Sequence, residues 1–186
     1  ALGLMAGAPN LNFDTDARVF FDKNNPDRIA LDNFEAAYSK DDNLIFVISP
    51  KDKNVFSAET LKAVGQLTEE AWLLPYVRTV NSLTNYQNSY AEEDSLVVED
   101  LITDIDNISP EDVSNAEKVA NSRIELKNTF INNDNSITQV NVLFRLPGKN
   151  AIVEVPFVMD EAKKLKEKFE ANNPNIEVRM VGFVPL

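Results

Sequence analysis

Apolar positions along the chain fall into two kinds of pattern, and turn formers separate them. Asn25-Pro26-Asp27 opens the first helical pattern, with Pro suited to the first helical position. Ala30, Leu31, Phe34, Ala37 and Tyr38 follow as one apolar stripe, and Lys40 to Asn43 ends it. Leu44 to Ile48 reads LIFVI, a short, β-branched, wholly apolar run that predicts a buried strand. Ser57 then offers an N-cap and Glu59 an acid near the positive end of the helix dipole. Leu61, Val64, Leu67, Ala71 and Leu74 recur every three or four residues and predict a helix over 57–74, stopped by Pro75.

A second strand is expected over 77–83. Asn85 to Asp94 is polar and aromatic and reads as loop, with a short strand over 96–98. Ser109-Pro110-Glu111-Asp112 is a strong helix start. Asn132 to Ser136, NNDNS, is dense in turn formers and predicts a hairpin loop before a strand over 137–146. Ile152, Val155, Met159, Ala162, Leu165 and Phe169 form a long helical stripe. Pro156 lies near its start and is expected to kink it or delay its onset, so the helix is placed over 157–172. The last strand covers 176–184.

These elements contain a weak repeat. LIFVISP, a helix and YVRTVNSL are matched by VLFRLP, a helix and IEVRMVGF. Two βαβ units joined in sequence predict an α+β protein of the split βαβ, or ferredoxin-like, type: four antiparallel strands with two helices on one face. The chain then divides into an N-terminal segment and helix (1–42), a first βαβ half (43–84), an insertion of mostly helical and loop character (85–135) and a second half (136–186), all one domain. Strands 44–48 and 139–146 should be the inner, antiparallel pair, with 77–83 and 176–184 outside. The two helices should share one face, with Leu61, Val64, Leu67, Leu165 and Phe169 buried against the sheet. A doubly wound α/β fold is disfavoured by the 5 glycines, too few for Gly-rich turns.

Composition narrows the chemistry. The 186 residues include no Cys and no His, which excludes disulfides, thiolate nucleophiles, His-based triads and Cys- or His-ligated metals within this chain. Lys and Arg total 18 against 30 Asp and Glu, a net charge of −12 that opposes nucleic-acid binding. Lys163, Lys164, Lys166 and Lys168 alternate with acids and read as a solvated helix face. No run approaches the ~20 apolar residues of a membrane span. Ala1 to Pro9 and Val181 to Leu186 are both apolar, which suggests ends cut from a longer chain.

Phosphate-cradling glycine loops and the G-x-S-x-G elbow are absent. The acid pairs Asp14/Asp16, Asp41/Asp42, Glu92/Glu93/Asp94 and Asp104/Asp106 are compatible with a glycosidase-like or Ca²⁺-binding site, but read better as solvated surface. Arg78, Arg145 and Arg179 lie in predicted strands and are the candidates for an anion cradle of the acyl-phosphate-hydrolysing kind. The alternative is that they extend across an exposed sheet face. Tyr86 and Tyr90 are candidates for ligand stacking or for pinning their loop to the body. The sequon Asn107-Ile108-Ser109 carries no more weight than chance. Neither a cofactor nor a metal is expected.

The order of segments resembles a known family. GAPNLNFDTDARVFF, a helix beginning NPDR, DDNLIFVIS, VFSAETLKAVGQLTEE, LPYVRTVNSLTNYQ and SLVVEDLI together are similar to the first large extramembrane loop of exporters of the resistance-nodulation-division (RND) superfamily, in its MMPL/Patched-like branch. The most specific pieces are Phe13-Asp14-Thr15-Asp16 with Phe20-Phe21, the Asp42-Asn43 strand entry, and Val80 to Asn85. The resemblance implies a periplasmic, porter-type subdomain of split βαβ form between the first and second transmembrane helices. The parent transporter's membrane helices and second loop would be its partners, and a lipidic or amphipathic molecule its substrate. The family's intramembrane proton relay would lie outside this chain. Length and insertion depart from the drug-efflux branch, so a trimer with an outer-membrane channel is not implied. The competing readings are a stand-alone binding module and a small acylphosphatase-like hydrolase. An excised loop should bring Phe13 and Val184 to the same pole of the domain, with 85–135 reaching elsewhere.

Overall fold

The computed structural model describes residues 22, 25–29, 42–92, 94–147 and 151–183. The chain divides into two compact units, Ala1–Lys40 with Pro185–Leu186, and Asp41–Val184. In the first, 26–29 form a helical turn in which the Ile29 N–H donates to the Asn25 carbonyl at 3.0 Å. The rest of the helix expected there lies outside the described residues, as do Phe13 and Val184.

The second unit is α+β. Its elements are β1 (Asp42–Pro50), α1 (Ala58–Ala71), β2 (Val77–Ser82), β3 (Gln87–Glu92), β4 (Ser95–Asp100), α2 (Pro110–Ser122), β5 (Thr138–Phe144), α3 (Ala151–Asn172) and β6 (Ile176–Phe183). Four strands form one antiparallel sheet in the order β2-β5-β1-β6, and β3 and β4 form a separate hairpin. The inner pair is β1 with β5, as LIFVI and VLF predict. Phe46 faces Val140 on one side and Met180 on the other.

Period-two alternation decides which side of the sheet is covered. Leu44, Phe46 and Ile48 of β1, Val140, Val142 and Phe144 of β5, and Ile176 and Val178 of β6 are buried together with Val64, Leu67 and Ala71 of α1 and Val158, Ala162, Leu165 and Phe169 of α3. Both helices therefore pack on one face. They run antiparallel: Asn175, just past α3, donates to Glu59 in the first turn of α1 at 3.3 Å. Lys168 of α3 also reaches Glu70 of α1 at 2.9 Å.

Three expectations are corrected. Helix α3 begins at Ala151 and contains Pro156 rather than starting after it. Pro156 is the sixth helical residue, so its missing N–H costs one bond near an end that already lacks partners. The buried stripe from Val155 to Phe169 holds the helix in place. Gln87–Glu92 is a strand rather than loop: QNSYAE lacks apolar alternation, and cross-strand bonds supply the pairing. Tyr90 Oη donates to Glu99 at 2.7 Å and Gln87 Nε2 to Asp100. The insertion remains mostly helix and loop, with this hairpin ahead of α2. Finally, all five residues expected to be buried are buried, but Leu61 joins a second cluster instead of the sheet core. That cluster gathers Val55, Phe56, Leu83, Leu101, Ile102, Ala116, Ala120, Leu126 and Ile131, so the insertion builds its own core against the start of α1.

Local polar chemistry fixes the insertion's turns. Ser109 caps α2 in a reciprocal box: Asp112 N–H donates to Ser109 Oγ at 3.2 Å, and Ser109 N–H donates to Asp112 Oδ2 at 2.8 Å. The Ser109 hydroxyl, then its N–H, hold the Asp112 carboxyl below its usual value of 3.8. A depressed carboxylate pKa contributes stability above its unfolded value and loses it as pH falls through the folded one. Asp112 is exposed and solvent screens it, so Asp112→Ala should cost about 0.5 kcal/mol near neutral pH. The difference from the parent chain should shrink as pH falls below the ordinary carboxylate range. Urea unfolding at neutral and acid pH measures both.

Candidate functional site

Among the described residues, no helix packs on the sheet's second face. Ile45 and Val47 of β1, Gln139, Asn141 and Leu143 of β5, Thr79 and Asn81 of β2, and Glu177, Arg179 and Val181 of β6 alternate onto it. Most are half-buried, while Glu177, Arg179 and Val181 on the outer strand are exposed. At the end of this face lies a shallow groove of about 240 Å³, lined by Val47, Asn128, Thr129, Phe130, Ile131, Asn132, Ile137, Thr138 and Gln139.

The groove's wall is the loop that closes the insertion. Asn128 sits at φ 61°, a left-handed conformation that Asn tolerates, and its N–H donates to the Ile131 carbonyl at 2.7 Å. Asn132 Oδ1 accepts from the N–H groups of Ser136 and Ile137, both at 2.9 Å. This closes the expected NNDNS turn and starts β5. Ile131 then bridges Thr138 antiparallel, extending the line of β2 along β5.

None of the nine lining side chains is ionisable, in a chain where 48 of 186 residues carry charge. The lining can offer apolar contact from Val47, Phe130, Ile131 and Ile137 and neutral hydrogen bonding from Asn, Thr and Gln. It holds no acid, base or nucleophile matched to bond-breaking. Two buried oxygens of β5 lack partners among the described residues: Thr138 Oγ1, in the lining, and Asn141 Oδ1, three residues along and on the opposite face. A buried acceptor left unpaired costs about 1–3 kcal/mol, a cost that a donor from outside the described chain would relieve.

The candidates singled out in the sequence lie elsewhere. Arg78 is on β2 and Arg179 on β6, the two outer strands, three strand spacings (roughly 14 Å) apart across the sheet and further offset along it by the register. Arg145 follows β5 beside the start of β2, its N–H donating to the Tyr76 carbonyl at 2.9 Å. The three guanidinium-bearing positions are thus not gathered on one cradle. Tyr86 Oη donates to Glu125 at 3.0 Å, and burial followed by that carboxylate raises its pKa. It ties the start of the hairpin to the segment after α2. Tyr90 lies on the hairpin.

The acids serve local structure. Asp104 accepts from Asp106 N–H at 3.0 Å, Asn107 N–H at 3.1 Å and Asn107 Nδ2 at 2.9 Å, and the Asn107 amide leads the effects that lower its pKa. Asp106 pairs with Lys62 of α1 at 3.0 Å. In the lysine-rich stretch, Lys164 pairs with Glu161 and Lys166 with Glu170, both at 2.7 Å, so that helix face is charge-compensated. Asp14, Asp16, Asp41 and Glu93 lie outside the described residues. Among the described residues no group of three or more acids could hold a metal ion, and no helix is long and apolar enough to cross a membrane.

The groove was missed because its parts are distant in sequence, residue 47 against 128–139. The available signal was the alternation in TQVNVLF, which places Gln139 and Asn141 on the face opposite the two helices. The chain matches no protein-family model and no curated protein.

Proposed function

We propose that the chain is an extramembrane, periplasmic domain of a proton-driven RND-type exporter of the MMPL/Patched-like branch. On this reading the four-stranded sheet is a ferredoxin-like porter subdomain that forms part of the path of a lipidic or amphipathic molecule. It binds or gates and performs no covalent chemistry. The parent's membrane helices and second extramembrane loop are its partners. The observation that carries the reading is the order β2-β5-β1-β6 with both crossover helices on one face and the insertion between the halves. That is the arrangement which the resemblance implies. The uncharged groove on the other face suits a substrate with an apolar body and neutral hydrogen-bonding groups.

The coding sequence around residues 1–186 tests this directly. Apolar runs of about 20 residues should flank the segment on both sides. Polar sequence on both sides, with no such run, would remove the exporter reading.

A further inference from the structure

A run of hydroxyls lies where β2 passes into the insertion. Ser82 and Thr84 are buried there, at 1% and 3% exposure, and Thr68 of α1 is buried beside them. Ser82 Oγ has three side-chain oxygens within hydrogen-bond distance: Thr68 Oγ1 and Thr84 Oγ1 at 2.9 Å, and Asn85 Oδ1 at 3.2 Å. Asn85 also folds the chain back on β2. Its Oδ1 accepts from the Ser82 N–H and its Nδ2 donates to the Val80 carbonyl, both at 2.8 Å. The Thr84 carbonyl in turn accepts from the Ile102 N–H at 3.0 Å, and the Tyr86 carbonyl from the Leu101 N–H at 2.9 Å.

The two hydrophobic cores meet at this run. Val80 belongs to the sheet core and Leu83 to the insertion core. Helix α1 is shared in the same way: Val64 and Leu67 join the sheet core, Leu61 the insertion core, and Thr68 the hydroxyl run. Gly65 lets the insertion come close, since a Cβ there would stand 2.5 Å from Ile105 Cγ2. Apolar contact is non-directional and would let two cores slide past each other. A satisfied buried polar network fixes one geometry, because sliding would leave desolvated hydroxyls unpaired.

We infer that Val80 to Asn85, with Thr68, is a rigid joint that makes the insertion and the sheet open and close as one body. The insertion is then not a lid that moves over a static sheet. A shift of β2 is passed through Thr84 and Tyr86 to Leu101 and Ile102, and so to the insertion core. These contacts all lie within the unit Asp41–Val184, and the joint does not depend on the chain's being part of an exporter.

Native-state amide exchange of the 186-residue chain through a urea series tests the joint. In the parent chain the slowest amides of α2 and those of β1 and β5 should converge on one rate. Leu126→Ala empties a buried position in the insertion core and should speed both sets equally, because the joint carries the loss into the sheet. Asn85→Ala should separate the sets, with α2 amides exchanging at least about tenfold faster than those of β1 and β5. Thr84→Val keeps the shape of the side chain and removes one hydroxyl, so it covers the case in which Asn85→Ala does not fold. It should separate the sets by about threefold. A network that merely stabilises the whole would speed both sets by the same factor in Asn85→Ala and Thr84→Val, and that result overturns the joint. A parent chain in which α2 already opens by itself overturns it too, as does a Leu126→Ala chain in which only insertion amides speed up.

Discussion

Replacing Phe46 by alanine should cost about 3–5 kcal/mol, the range for emptying a buried aromatic site. For a chain of this length that corresponds to a fall in Tm of about 6–20 °C. The size follows from position. Phe46 is fully buried in β1, between Val140 of β5 and Met180 of β6, beneath the helix pair. No edge residue can move in to fill the space. Leu73→Ala, at an exposed position, should by contrast stay within about 0.5 kcal/mol. Thermal unfolding of the two variants side by side measures the difference. A loss below about 1 kcal/mol for Phe46→Ala would mean that β1 does not lie at the centre of the sheet.

Gly182→Ala is expected to damage the sheet as well, by crowding rather than by emptying space. A Cβ at Gly182 would strike the Asn43 carbonyl oxygen and stand 2.9 Å from Leu44 Cα. Both are backbone atoms of the neighbouring central strand, so relief requires β6 to move off β1 at the Leu44–Gly182 pair. Overpacking of this kind costs about 1–3 kcal/mol. Gly65→Ala is a useful contrast. There the added methyl meets the Ile105 side chain, which belongs to the insertion, and Ala gains about 1 kcal/mol of helix propensity over Gly. Gly182→Ala should thus be the worse of the two by urea denaturation, and amide exchange should show the loss concentrated along β6. The reverse ranking would contradict the β1–β6 register.

The parts of the fold that were legible share one property: their signal is local. LIFVI marked β1 because a short, β-branched apolar run fits a central strand, although Ile45 and Val47 on its second face are only half-buried. The spacing of Leu61 to Leu74 marked α1, and Ser109-Pro110 marked the start of α2. The misreadings arose where partners decide. QNSYAE is too polar to read as a strand, and it becomes one through the side-chain bonds of Tyr90 and Gln87 across to β4. Pro156 argued for a late helix start, yet the buried Val155 and Val158 on either side of it outweigh one lost hydrogen bond. Leu61 is on the apolar stripe of α1 but faces the insertion, whose core could not be foreseen from a segment with so few apolar runs. The groove is the extreme case. Val47 and the 128–132 loop meet only through the pairing of β1 with β5, and no motif links them.

The central claim places this chain outside the cytoplasm as part of a membrane exporter. Ile124, 88% exposed just after α2, is a position where a new side chain disturbs little. With Ile124→Cys introduced into the parent protein and expressed in intact cells, a membrane-impermeant maleimide reads its compartment. Parent protein without the substitution controls for cysteines elsewhere in the longer chain. The account predicts labelling in intact cells as complete as that after lysis. Labelling that appears only after lysis would place the domain in the cytoplasm and contradict it.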